Sequence, residues 1–193
     1  MPAPHLIYLH GFLSSPHSAK AQLLGRYVAE QVPGLAFSVP ALPEEPQQAL
    51  AAAAAAVAQV RAAGERPALI GSSMGGFYAT VLAEQQALRA VLINPSVRPQ
   101  LRLPDYFGEN TNPYNGRRFT LDAADVDALA AMQPRSLSRP EQLWLLAQEG
   151  DEVLDYREAV EFYAGCRQTI EPGGDHQFQG FERYLAAVVA FLT

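Results

Sequence analysis

The chain has 193 residues, 49% of them hydrophobic and 18% charged, with a formal net charge of −6. These values fit one domain with a sizeable core and exclude a disordered chain, a collagen-like repeat and a coiled coil. The acidic balance argues against binding a phosphate backbone or an anionic lipid surface, so neither nucleic acid nor membrane is an expected partner.

Leu6-Ile7-Tyr8-Leu9 is a short apolar run ending at His10-Gly11, the pattern of a buried strand feeding a loop. Ser15-Pro16 then offers an N-cap and a proline for a helix reaching Val32, stopped by Pro33-Gly34. A second strand spans residues 35–39. Pro46 opens a helix that runs to Gly64. Its alanine run, residues 51–56, favours helix, and Leu50, Val57 and Val60 provide a core-facing stripe. Residues 68–71 form a third strand, 74–86 a helix and 90–93 a fourth strand. Residues 143–147 and 168–170 read as the fifth and sixth strands, with helices near 155–164 and 178–192.

Alternation of helices with uninterrupted apolar strands predicts an α/β fold: a six-stranded, mostly parallel sheet covered by helices on both faces. The expected domain organisation is one domain over 1–193. Within it, the 49 residues between the fourth and fifth strands (94–142) are far too many for an ordinary connection. Their first half is rich in Pro, Asn, Gly and Tyr, and their second half holds a helical pattern over 122–132. They read as a lid-like insertion.

Gly71-Ser72-Ser73-Met74-Gly75 matches G-x-S-x-G between a strand and a helix. A sharp strand-to-helix turn leaves no room for side chains two residues either side of its apex, hence Gly71 and Gly75. The apex hydroxyl stands clear, facing a helix N-terminus. Ser73 is therefore the candidate nucleophile, and Ser72 would break the glycine symmetry. Attack by a serine creates an oxyanion that needs preorganised donors. The backbone N–H of Met74 follows the nucleophile, and that of Phe12 lies in the loop after the first strand. These are the two candidate donors, with His10 as a structural histidine.

The general base is expected after the last strand. His176, in Gly173-Gly174-Asp175-His176, is the one histidine that follows the elbow and so satisfies the order Ser…Asp…His. The orienting carboxylate is expected just after the fifth strand, where Asp151 stands nearest the strand end. Glu149, Glu152 and Asp155 are alternatives, although Asp155 also suits a helix cap and Asp175 a turn. Among other residues, Lys20 reads as a structural ion-pair partner and Cys166 as a small core residue. Phe12, Tyr78, Tyr106, Phe107, Tyr114 and Phe178 are candidates for an apolar acyl pocket or for plain core.

Cys166 is the single cysteine, which excludes an intramolecular disulfide and a cysteine-rich zinc site. His5, His10, His17 and His176 contain no pair at helical metal-ligand spacing, so no metal or organic cofactor is expected. There is no apolar run of about 18 residues, as a membrane span requires. The first 16 residues hold no Lys or Arg, unlike a signal peptide, and a cytoplasmic location is expected.

Several segments together resemble the YqiA-like bacterial esterase family, a small branch of the α/β-hydrolase superfamily. They are Leu9-His10-Gly11-Phe12, Gly71-Ser72-Ser73-Met74-Gly75-Gly76, Asn94-Pro95-Ser96-Val97-Arg98-Pro99, Asn112-Pro113-Tyr114, Gly150-Asp151-Glu152-Val153 and Gly173-Gly174-Asp175-His176. They follow one another in order along nearly the whole chain. The resemblance implies a carboxylic ester hydrolase acting on small-molecule acyl esters or thioesters, with a triad of Ser73, Asp151 and His176. It also implies a hydrolase sheet lacking its first two strands, with strand order second–first–third–fourth–fifth–sixth. A different class remains open at this point: a non-catalytic module of the same fold that binds an acyl ligand or a protein.

Overall fold

A computed structural model describes residues 2–193. Six strands form one sheet: β1 (Pro4–Leu9), β2 (Ala36–Ser38), β3 (Arg66–Ser72), β4 (Ala90–Ile93), β7 (Leu143–Gln148) and β8 (Arg167–Glu171). Their order is β2-β1-β3-β4-β7-β8, the predicted one, and every pairing is parallel rather than mostly so. Chain direction across the sheet reverses once, beside β1. Residues leaving the carboxyl ends of β1 and β3 therefore meet at a switch point, the usual place for a ligand in an open α/β sheet.

Successive residues of a strand face opposite sides, so each apolar strand feeds two cores. Ile7, Leu9, Leu69, Leu92 and Leu145 pack against helices α2 (Pro46–Ala62), α3 (Met74–Gln86) and α5 (Tyr156–Phe162). Leu6, Tyr8, Ile70, Val91 and Trp144 pack on the other face, against α1 (Ala19–Gln31) and α6 (Leu185–Leu192). The alanine-rich segment is helical as expected, but its buried stripe is Ala49, Ala53, Val57 and Val60, while Leu50 is only half-buried.

Two helix starts differ from expectation. The first helix begins at Ala19, not at Ser15-Pro16, because residues 15–18 close a separate turn through Ser18 N–H to the Ser15 carbonyl (3.0 Å). The last helix begins at Leu185, after a 3₁₀ turn over Phe181–Tyr184.

The segment 94–142 contains the expected helix, α4 (Ala123–Met132), started by an Asp122–Asp125 capping box. It also contains an antiparallel hairpin, β5 (Gly108–Thr111) with β6 (Arg118–Leu121), that the sequence reading does not anticipate. The β5 residues are polar and largely exposed, and only Phe119 and Leu121 of β6 show a buried alternation, so one strand of the pair carries no hydrophobic signal.

The hairpin is tied down at its turn. Asn112, 1% exposed, donates through Nδ2 to the Ser14 carbonyl (3.1 Å) and to Glu44 Oε1 (2.5 Å). Arg117 pairs with the buried Glu44 carboxylate and with Glu45 (2.8 Å). The two carboxylates raise the Arg117 pKa, through hydrogen bonding to Glu45 most of all. A buried carboxylate is tolerable only when paired and hydrogen-bonded in this way.

Candidate active site

The turn from β3 into α3 has the sterics that G-x-S-x-G requires. Ser73 sits at φ 55°, ψ −121°, in the left-handed half of backbone space that non-glycine residues rarely adopt. A Cβ on Gly71 would collide with the Gly75 carbonyl. A Cβ on Gly75 would collide with the carbonyl of Leu9, the last residue of β1, and lie 2.6 Å from that of His10 just beyond it. The second glycine thus answers to the neighbouring strand rather than to the first glycine. Gly76 is closed in as well: a Cβ there would lie 2.7 Å from Pro95 Cβ.

Because β1 is paired on both sides, with β2 and β3, and cannot retreat, Gly75→Ala is expected to cost about 3 kcal/mol, the upper part of the overpacking range. For a chain of this size that lowers Tm by about 6–12 °C, as read by thermal melting followed by circular dichroism. An unchanged Tm would show that the strand yields.

Three nominated side chains from three loops meet over this turn. His176 Nε2 lies 3.0 Å from Ser73 Oγ. His176 Nδ1 lies 2.8 and 2.9 Å from the two carboxylate oxygens of Asp151. A carboxylate only accepts, so Nδ1 carries the proton and Nε2 presents its lone pair to the serine hydroxyl. The Asp151 side chain is 2% exposed, and its Oδ1 also accepts from the backbone N–H of Val153 (2.9 Å) and Leu154 (2.8 Å).

The alternative acids are occupied elsewhere. Asp155 caps α5 through the Arg157 N–H (3.0 Å), and Asp175 closes a turn onto the Gln177 N–H (2.9 Å). Glu149 lies 3.4 Å from the Tyr156 hydroxyl. Glu152 accepts from the backbone N–H of His176 (2.9 Å), so it holds the histidine's main chain and not its ring.

The Phe12 loop packs tightly on the turn. A Cβ on Gly11 would come within 3.3 Å of Ser73 Cβ, so glycine here permits close approach. Among the described residues, neither the Phe12 nor the Met74 backbone N–H donates a hydrogen bond. Met74, as the first residue of α3, has no intrahelical acceptor by geometry. His10 is structural: 3% exposed, it accepts the Leu42 N–H at Nε2 (3.1 Å) and donates from Nδ1 to the Gly11 carbonyl (3.0 Å). Burial lowers its pKa.

Two residues to which the sequence reading gives no role hold the His176 loop. Asn94, 3% exposed and at φ 40°, follows β4. Its Nδ2 donates to the carbonyls of Asp175 (2.9 Å) and His176 (3.2 Å), while its Oδ1 accepts the Gln148 N–H (3.0 Å). Gln148, 2% exposed, accepts at Oε1 from the Asp175 (3.2 Å) and Gln179 (2.8 Å) amides. Both are polar residues at the end of an apolar strand, which is the one signal that could have found them. Lys20 is not an ion-pair partner among the described residues. Its Nζ donates to the Gln177 carbonyl of the same loop (2.7 Å). Burial pushes its pKa down to about 8 against the opposing pull of Asp175 and Asp151.

A cleft of about 280 Å³ opens above Ser73 and His176, walled by Phe12, Met74, Leu103, Tyr106 and Leu154 among others. Of the aromatic candidates only Phe12 and Tyr106 line it, ring edge to face at 5.0 Å. Tyr78 and Phe178 are core residues, 3% and 2% exposed, and Phe107 and Tyr114 point outward. Cys166 is half-buried, and burial pushes its thiol up to about 11, so it holds no thiolate at neutral pH. Among the described residues no cluster of His, Cys, Asp and Glu could hold a metal, and no helix is long and apolar enough to cross a membrane.

The fold is that of the α/β hydrolases. The chain is similar in structure to a candidate hydrolase from Agrobacterium vitis S4, with a TM-score of 0.78 and 18% identity over 99% of this chain and 88% of that one. It is also similar to the esterase domain of a Rhodothermus marinus protein, with a TM-score of 0.67 and 21% identity over 98% and 85% of the two chains. In sequence it is 25% identical to a UPF0227 protein of Enterobacter sp. (strain 638) over 97% of this chain and 98% of that one. A family model matches residues 5–193, and the chain belongs to the uncharacterised protein family UPF0227, the YqiA-like family that its motifs resemble.

Proposed function

We propose that the protein is a serine carboxylic ester hydrolase that cleaves small-molecule acyl esters or thioesters through an acyl-enzyme. The observation that carries this reading is the unbroken relay Asp151–His176–Ser73, with each hydrogen bond at 2.8–3.0 Å. A binding module has no use for a buried carboxylate that fixes an imidazole tautomer against a strained serine.

In the first step Ser73 Oγ attacks the ester carbonyl as His176 Nε2 takes its proton. The oxyanion is held by the N–H groups of Phe12 and Met74, which have no acceptor among the described residues. The imidazolium, stabilised by Asp151, then protonates the departing alcohol or thiol. Water attacks the acyl-enzyme by the same route and restores Ser73. Every proton is moved by the chain's own residues. Residues 94–142 act as the lid-like part of a single domain, since Leu103 and Tyr106 form one wall of the cleft.

The test is reaction with a fluorophosphonate, read by intact mass and peptide mapping, beside turnover of p-nitrophenyl esters and acyl thioesters. A stoichiometric adduct on Ser73 with ester turnover is the expected result. An inert protein would make it a non-catalytic binder. Asp151→Asn keeps the side-chain shape but removes the charge and permits the wrong tautomer, so kcat is expected to fall about 10⁴-fold. That is milder than losing the serine or the histidine. A loss below tenfold in steady-state turnover would deny Asp151 its role.

A further inference from the structure

The cleft over Ser73 has apolar walls, with one permanent charge among the residues that line it: Arg102. Among the described residues its guanidinium makes neither an ion pair nor a side-chain hydrogen bond. Its nearest basic neighbour in sequence is spent, because Arg98 pairs with Glu158 at 2.9 Å. The base of the Arg102 side chain is held in place, since its N–H donates to the Pro99 carbonyl (3.0 Å) and its carbonyl accepts from Asp105 (3.1 Å).

Arg102 also borders a second cavity of about 320 Å³ that shares Ser96 and Leu154 with the first. That second cavity is lined by Asp105, Asp155 and Glu158, with Arg98 already paired to Glu158, and none of these lines the cleft over Ser73. An anion is therefore disfavoured in the second cavity and favoured in the cleft over Ser73, where the one permanent charge in the lining is positive. Arg102 is solvent-exposed where it borders this cleft, and a planar two-pronged donor without a partner there suits a carboxylate.

We propose that Arg102 makes this site selective for short esters that carry a carboxylate, pairing with that charge while Ser73 engages the ester carbonyl. This rests on the hydrolase reading given above. The carboxylate can belong to the acyl part, as in a dicarboxylic half-ester, or to the alcohol part, as in an ester of a hydroxy acid. Both present the same group to the guanidinium.

The experiment measures kcat/KM for two matched pairs, with wild type, Arg102→Gln and Arg102→Lys. The acyl-side pair is p-nitrophenyl hemiadipate against p-nitrophenyl hexanoate. The alcohol-side pair is 4-butyryloxybenzoate against 4-butyryloxybenzamide. In at least one pair the ratio of charged to neutral substrate is expected to fall about 10- to 100-fold in Arg102→Gln, as loss of a charge-assisted hydrogen bond implies. The fall should appear mainly in KM, and Arg102→Lys should recover part of it. The pair that responds identifies which side of the ester bears the charge.

Unchanged ratios in both pairs, with wild-type turnover intact, overturn this inference and leave the hydrolase reading standing. No turnover of any ester by wild type, with no fluorophosphonate adduct on Ser73, overturns both together.

Discussion

Ser73→Ala is expected to lower kcat for a p-nitrophenyl ester by up to about 10⁶-fold, the loss that follows when a triad nucleophile is deleted. The substitution removes only Oγ, the atom 3.0 Å from His176 Nε2. It keeps the Cβ, so the strain at φ 55° is unchanged and the variant should fold and melt as wild type does. The Asp151–His176 contact and the two candidate oxyanion donors also stay. About 10³–10⁴-fold over water should therefore persist from transition-state binding alone. Single-turnover kinetics with the acyl-enzyme trapped by acid quench check this, and no covalent acyl or phosphonyl adduct should form. A variant retaining a tenth of wild-type turnover would remove Ser73 from the chemistry.

His176→Ala is expected to cost nearly as much, about 10⁶-fold in kcat, because without a base the serine hydroxyl has no acceptor for its proton. The two losses should not add. Ser73→Ala combined with His176→Ala should be as slow as either alone, since the residues act as a unit. A double variant slower by the product of the single losses would mean that two independent paths contribute. Removing the ring also strips the 2%-exposed Asp151 carboxylate of one partner, although the Val153 and Leu154 amides remain bonded to it. A stability loss is therefore expected as well, and activity should be compared well below each variant's Tm.

Of the fold, the central sheet strands were legible in the chain as short apolar runs bounded by turn residues, while the partly buried β2 and β8 carry a weaker signal and the strand order came from the family resemblance. The elbow was legible as G-x-S-x-G between an apolar run and a helix, although the carbonyls that crowd Gly75 belong to Leu9 and His10, more than 60 positions earlier. The hairpin was not, since β5 is polar on both sides and is held by Asn112 and Arg117 reaching residues about 70 positions earlier. The aromatic residues show the same limit. Tyr78 and Tyr106 are equivalent as sequence, and only packing buries the first and sets the second at the cleft.

The candidate site divides along the same line. Ser73 and His176 follow from motif and chain order, and their side chains lie in hydrogen-bond contact across 103 positions. The acid is different, for Glu149, Asp151, Glu152 and Asp155 crowd one loop with the same functional group. Which of them meets the imidazole depends on where β7 ends and how its turn is bonded, and there Asp151 alone faces the ring while Glu152 takes the backbone and Asp155 the helix. The clasp of Asn94 and Gln148 on the His176 loop shows in the chain only as a polar residue ending an apolar strand, and the unpaired charge of Arg102 beside the cleft has no local signature. Short-range sterics and hydrophobic pattern are written in neighbouring residues. Hydrogen bonds between loops from 25 to 103 positions apart exist only once the sheet has brought the loop ends together.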